Sequence, residues 1–242
     1  MENIINFRPL ADNIQNRGGK RIKTNTIFRS GLLTGAAPAD IAALHSMDVR
    51  YIYDFRSPFE VAAEPALSTG EFTTLNFDIV PQAAPRNYAK LHDVDPDSVA
   101  DIMTARYAEH FSVTDAYKPV VKSILSQDTP GFLFHCSAGK DRTGIFGAIL
   151  MMALDFDMGD IRAEYLTIDQ EQVDEMKRNF LASVGHTENT DHLDPLFTVL
   201  PQYFDAYTQG VLRDHDSFDD YLESVCGIDD IVREMLQERY LV

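Results

Sequence analysis

His135-Cys136-Ser137-Ala138-Gly139-Lys140-Asp141-Arg142-Thr143-Gly144 lies between two apolar runs, Gly131-Phe132-Leu133-Phe134 before it and Ile145 to Leu154 after it. The first run has the length of a strand and the second that of a helix, so the residues between them predict a strand-to-helix turn. The first N–H groups of a helix have no intrahelical partner, and a turn that exposes them is a ready anion site. This one also carries a thiol, an ammonium, a carboxyl group and a guanidinium.

Each residue type has a use there. Cys136 sits at the end of a strand, beneath a helix N-terminus and beside cations, where thiols titrate at roughly 3.5–7.5 instead of about 8.5. Such a thiolate is a competent nucleophile. Arg142 follows after five intervening residues, and its parallel N–H donors match two oxygens of a tetrahedral oxyanion. Ser137, Ala138, Gly139 and Lys140 can wrap their own N–H groups around the remaining oxygens as a nest. Gly139 and Gly144 give the backbone freedom to do so, and the Thr143 hydroxyl can donate to the sulfur or to an intermediate. The set suits phosphoryl transfer from a monoester to sulfur, by positioning and charge stabilisation and without a metal or other cofactor. The plain alternative is a buried core cysteine beside a solvated turn, which leaves the His, Gly and Thr-Gly positions unexplained. A nucleotide-binding loop fails on its own terms, because position 134 is Phe and position 141 is Asp.

The 242 residues fit one domain, with 45% hydrophobic and 24% charged residues supporting a real core. A formal charge of −17 excludes non-specific nucleic-acid binding and disfavours an anionic membrane surface. The two cysteines, Cys136 and Cys226, form no zinc-type spacing and no disulfide framework. No basic-then-apolar leader opens the chain, and no apolar run approaches the roughly 20 residues of a membrane span. A cytoplasmic protein is the simplest expectation, with leaderless secretion left open and the oligomeric state unspecified.

Strand signals fall at Thr26–Arg29, Val49–Asp54 and Glu71–Phe77, and a helix signal starts at Pro38. Ser57 can cap a short helix from Pro58 through Glu64. Residues 81–112 are Pro-punctuated, with a helix opening at Asp95-Pro96; they can form a lid over the site or packed surface helices. A helix is expected over 114–127 with Thr114 as its cap. Helices at 159–168, 172–184, 201–212, 218–226 and 228–241 follow, with a polar loop at 185–194. The expectation is an α/β domain, residues 1–242, with a central sheet, helices on its faces and a helical part over 159–242.

The stretch His135 to Gly144 resembles the signature loop of the cysteine-dependent protein tyrosine phosphatase superfamily. Within it, Ala-Gly-Lys-Asp-Arg-Thr-Gly is similar to the bacterial branch of atypical tyrosine/dual-specificity phosphatases, which includes phosphoinositide phosphatases. Ile27-Phe28-Arg29-Ser30-Gly31, Tyr53-Asp54-Phe55-Arg56-Ser57-Pro58-Phe59-Glu60 and Phe218-Asp219-Asp220-Tyr221-Leu222 followed by Gly227-Ile228 resemble further segments of that branch. The resemblance implies a mostly parallel central sheet flanked by helices, with a helical lid inserted before the signature loop. It also implies a phosphomonoesterase acting through a phosphocysteine.

The leaving group needs an acid, worth about 10²- to 10⁴-fold in rate. The superfamily's usual Trp-Pro-Asp loop is absent, since the chain has no Trp. The narrower branch places the acid inside the loop, where Asp141 stands; the rivals are Asp78, then Asp93, Asp95, Asp97 and Asp101. Asp141 can instead pair with Lys140 or Arg56 and shape the loop. In this branch a lysine such as Lys140 accompanies phosphoinositide activity; it also reads as a solvated offset to the acidic background. Arg29 and Arg56 either line the rim or partner Asp54 and Glu60. His135 reads as a buried, hydrogen-bonded orienting residue, and Cys226 as packing in a helix. Phosphotyrosine, phosphoserine/threonine, phosphoinositide and small phosphates all stay open as substrates. A sulfurtransferase, an arsenate reductase or a non-catalytic phosphoresidue-binding module are the competing classes. Arsenate reductases carry the Cys-x5-Arg spacing near the N-terminus, unlike position 136.

Overall fold

The structure is a computed structural model and describes residues 1, 3–67, 69–79, 96–111, 114, 116–183 and 191–242. Its strands are β1 (Arg8–Pro9), β2 (Ile27–Ser30), β3 (Tyr51–Asp54), β4 (Thr73–Asn76) and β5 (Phe132–His135), ordered β1-β2-β5-β3-β4 in one sheet. All pairs are parallel except the antiparallel edge pair β1–β2. Parallel neighbours need crossovers. These are α1 (Pro38–Ser46), α2 (Pro58–Ala63), and then α3 (Pro96–Glu109) with α4 (Tyr117–Ser126). After β5 come α5 (Asp141–Ala153), α6 (Met158–Leu166), α7 (Gln170–Ser183), a 3-10 turn at Asp191–Leu193, α8 (Asp194–Phe197), α9 (Pro201–Asp214), α10 (Phe218–Ser224) and α11 (Asp230–Tyr240). This is the expected α/β architecture with a mostly parallel sheet.

Side chains alternate across the sheet and bury on both faces, as parallel sheets require. Ile27, Tyr53, Phe132 and Phe134 enter a large core with α4, α5 and the later helices. Phe28, Ile52 and Leu133 point the other way, into a smaller core with Ile4, Leu33, Leu44 and Val49. The register puts Ser30, His135 and Asp54 in one row. Three adjacent strands therefore end flush, and the turns that follow them emerge at the same carboxyl edge, where open α/β sheets place ligands.

Several boundaries differ from expectation. Helix α5 starts at Asp141, inside the motif, rather than at Ile145. Helix α4 starts at Tyr117 with Ala116 at its cap; the Thr114 hydroxyl accepts from the Ala116 N–H at 3.3 Å and so builds a turn ahead of the helix. Of the loop expected at 185–194, residues 185–190 lie outside the described residues, and 191–194 already form the 3-10 turn and enter α8. Pro195 is tolerated there because it falls in the helix's first turn. Of the lid segment, 81–95 and 112 also lie outside the described residues. Its helical part, α3, is a packed element: Val99, Met103 and Tyr107 are buried. A Cβ at Gly210 of α9 would stand 2.2 Å from the Ala108 carbonyl oxygen, so glycine permits the close approach of α3 and α9. Among the described residues no helix is long and apolar enough to cross a membrane.

Candidate active site

Strand β5 delivers Cys136 to the sheet edge with 2% of its surface exposed. The Thr143 hydroxyl, in the first turn of α5, donates to Cys136 Sγ at 3.1 Å, so the helix N-terminus stands directly over the sulfur. Neither cysteine is in a disulfide. Cys226 lies in the turn just past α10 rather than in a helix. Burial pushes its thiol up to about 12, which makes it inert.

The loop takes its shape from three carbonyls drawn outward. The Ser137 carbonyl accepts from the Leu32 N–H at 2.9 Å. The Ala138 carbonyl accepts from Asn6 Nδ2 at 2.8 Å, and the Gly139 carbonyl from Arg29 Nη2 at 2.9 Å. All peptide bonds among the described residues are trans. In a planar trans peptide the N–H points opposite to the C=O. The N–H groups of Ala138, Gly139 and Lys140 are thus turned away from these three scaffold donors. Together with the start of α5 they are disposed as a nest would require. Gly139 has φ +70, and a Cβ there would lie 2.5 Å from the Gly31 nitrogen and the Ser30 carbonyl carbon. Only glycine fits. Gly144 continues the helix, its N–H donating to the Lys140 carbonyl at 2.6 Å.

Arg142 is aimed by Glu60. Nη1 donates to Glu60 Oε2 and Nη2 to Oε1, both at 2.8 Å, and Nη1 also reaches the Phe55 carbonyl at 3.2 Å. Ser137 Oγ donates to Glu60 Oε1 at 2.8 Å. Glu60 meanwhile accepts from the Ser57 N–H at 2.9 Å and from the Ser57 hydroxyl at 2.9 Å, closing a capping box at the start of α2. Burial would raise the Glu60 carboxyl, but Arg142 and then Ser57 and Ser137 outweigh it and hold it down to about 2.

Beneath the loop lies a layer of ion pairs. Asp54 accepts from Arg56 Nε at 3.0 Å and Nη2 at 2.8 Å. Burial raises Asp54, yet the Arg56 bonds and the nearness of His135 leave it below the usual carboxylate range. His135 Nδ1 donates to the Cys136 carbonyl at 3.0 Å, and burial, partly opposed by Asp54, lowers its pKa. The expected orienting histidine and the Arg56–Asp54 pair are therefore present. Arg29 departs from expectation: it neither lines the rim nor meets Asp54 or Glu60. It pairs with Glu164 of α6 at 3.2 Å, as does Arg8 at 3.0 Å. Burial and then Arg8 lower Arg29 to about 10, against the pull of Glu164.

Lys140 is not a solvated lysine at the mouth. It is 3% exposed, and its ammonium donates to both Asp141 oxygens at 2.6 and 2.7 Å. Asp141 Oδ1 also accepts from the Tyr107 hydroxyl of α3. Among the rival acids, Asp78 follows β4 at the same sheet edge and Asp101 is exposed on α3. Asp93, Asp95 and the Asp97 side chain lie outside the described residues. No group of three His, Cys, Asp or Glu among the described residues is arranged to hold a metal ion.

Sequence reasoning gave Glu60 to Arg29 or Arg56 rather than to Arg142, and it missed Tyr107, Glu164 and Asn6 as parts of the site. The Ser57-x-x-Glu60 spacing is a capping-box signature that fixes Glu60 at the start of α2, but it says nothing of which arginine Glu60 meets. Tyr107, Glu164 and Asn6 have no local signal, because each reaches the loop from a distant element.

The α/β fold, with its mostly parallel sheet, is phosphatase-like. The whole chain, residues 1–242, matches the tyrosine phosphatase family, and it belongs to that family. It is similar to a protein of Cupriavidus necator named "Putative tyrosine-protein phosphatase H16_A0669", with 27% identity over 232 residues, covering 94% of this chain and 84% of that protein.

Proposed function

We propose that residues 1–242 form one phosphatase domain that hydrolyses phosphate monoesters through a phosphocysteine on Cys136. The observation that carries this reading is the contact of Thr143 Oγ1 with Cys136 Sγ at 3.1 Å beneath a helix N-terminus, with Arg142 aimed by Glu60 from the same turn. In the first step an S–P bond forms as the ester P–O bond breaks, and Asp141 gives its proton to the leaving oxygen. In the second, water attacks phosphorus, the P–S bond breaks, and the Asp141 carboxylate takes the proton that water loses. Arg142 and the amides of Ser137 to Thr143 hold the three equatorial oxygens throughout. No cofactor enters.

A tyrosine phosphate is the favoured substrate, supported by the family and by the name of the relative. Dual specificity and action on phosphoinositides belong to the same proposal; they call for Lys140 to exchange Asp141 for a second anionic group. A cytoplasmic location belongs to the same proposal, because a thiolate nucleophile works only while it stays reduced. The test compares p-nitrophenyl phosphate turnover by the native protein and Cys136→Ser, with chelator present. Loss of turnover and a phosphate-bearing cysteine trapped on quenching are expected. Equal turnover by both proteins sinks the mechanism, and activity on thiosulfate instead would favour a sulfurtransferase. A panel of phosphopeptides and inositol phosphates reads the substrate class.

A further inference from the structure

Tyr107 is not part of the loop, yet its hydroxyl ends on Asp141 Oδ1. It is fully buried on α3. Its ring stacks on Tyr203 of α9 with centroids 5.1 Å apart at 12°, lies 4.9 Å from Phe111, and meets Tyr165 of α6 edge-on at 6.1 Å. Aromatic neighbours on three sides leave the ring one orientation, which aims its only polar atom at the carboxylate. Burial, reinforced by the charge of Asp141, raises the Tyr107 hydroxyl well above its ordinary pKa, so it stays a donor wherever the enzyme works.

A carboxylic acid turns easily about its last torsion, which is broad and two-fold. It can therefore present its proton on either oxygen. Lys140 does not choose between them, since it contacts both almost equally, at 2.6 and 2.7 Å. Tyr107 does choose, because it occupies Oδ1 alone.

We infer that Tyr107 is a positioning residue for the general acid, holding Asp141 Oδ1 so that Oδ2 carries the proton to the leaving oxygen. This rests on Asp141 being that acid. Tyr107 gains and loses no proton in the cycle; the proton that moves is the one on Oδ2. The charged and titratable groups around Asp141 are Lys140 from the loop, Tyr107 from α3, Tyr165 from α6 and Tyr203 from α9. The inference ties the acid to α3 and, through the tyrosine stack, to α9.

The test measures kcat/KM for phosphomonoesters with leaving groups from p-nitrophenol to a simple alkyl alcohol, with the native enzyme, Tyr107→Phe, Asp141→Asn and Tyr203→Phe. Tyr107→Phe keeps the ring, and its turnover of p-nitrophenyl phosphate reports an intact loop. Expected are about a tenfold loss for Tyr107→Phe on the alkyl ester and less than about twofold on p-nitrophenyl phosphate, in the direction of a larger loss for Asp141→Asn. Tyr203→Phe, which removes a hydroxyl from the same stack, keeps the native leaving-group dependence. Equal losses on both esters, or none, in Tyr107→Phe while Asp141→Asn discriminates between them would overturn the role of Tyr107. An Asp141→Asn enzyme that does not discriminate removes the acid itself, and the inference with it.

Discussion

Glu60 meets Arg142 end-on, each carboxylate oxygen taking one terminal guanidinium nitrogen at 2.8 Å. The same carboxylate caps α2 through Ser57, so one side chain both starts a helix and orients a cation. A two-point contact of this kind fixes the guanidinium plane as well as its position.

Glu60→Gln keeps the shape of the side chain and removes its charge. Arg142 then loses its fixed orientation, and kcat/KM for p-nitrophenyl phosphate should fall by about 10- to 100-fold, the scale of a small misplacement of a catalytic group. Circular dichroism should be unchanged. Native kinetics in this variant would show that Arg142 is aimed by the loop alone.

Acid should destabilise the fold in two stages. His135 has a lowered pKa in the folded state, so below its unfolded value of about 6.5 the unfolded chain binds the extra proton first. Its contribution is complete above that value and fades as pH falls toward the folded one. Glu60, held at about 2, and Asp54, also lowered, contribute fully above the ordinary carboxylate range and lose that contribution as pH drops further. All three act in one direction. Melting temperature followed from pH 7.5 downward should decline in both ranges, and His135→Asn should flatten only the upper one.

Gly139→Ala places a methyl 2.5 Å from backbone atoms of Ser30 and Gly31 at a φ of +70. The conformational strain alone costs about 1–3 kcal/mol, and the flush strand ends leave the loop no room to retreat. Denaturant unfolding should register at least that loss, with turnover nearly abolished. A variant as stable and active as the native protein would mean the loop is far softer than its contacts indicate.

Glu164→Gln leaves Arg29, 1% exposed, without its carboxylate. Breaking a buried pair costs about 3–5 kcal/mol, and the loss should appear in denaturant unfolding. Adding Arg29→Met removes the stranded charge and should recover part of it. No recovery would show that Arg29 contributes through the Gly139 carbonyl rather than through Glu164.

The sheet was legible because its strands are short apolar runs bounded by turn residues, as Phe132–His135 and Tyr51–Asp54 show. The loop was legible because its thiol, guanidinium and turn glycines are contiguous from Cys136 to Gly144. What escaped is what depends on tertiary placement. Nothing local marks Tyr107 as facing Asp141, or Arg29 as reaching α6 instead of Asp54, since both are decided by how helices seat on the sheet. Lys140 read as solvated because lysine usually is, and only the neighbouring carboxylate and the overlying aromatic helix allow its burial.

The outward-drawn carbonyls also set an order of events during synthesis. Asn6 is 132 positions from Ala138, and Arg29 is 110 from Gly139; the Arg8–Glu164 bond that steadies Arg29 spans 156. Such long closures form late. A ribosome that has just released β5 and α5 holds a cysteine with an unfinished cradle, because the Arg29 support of the Gly139 carbonyl is anchored only once Glu164 of α6 has emerged. Nascent chains cut short before Glu164 should therefore be inert toward phosphate esters even where their sheet has formed.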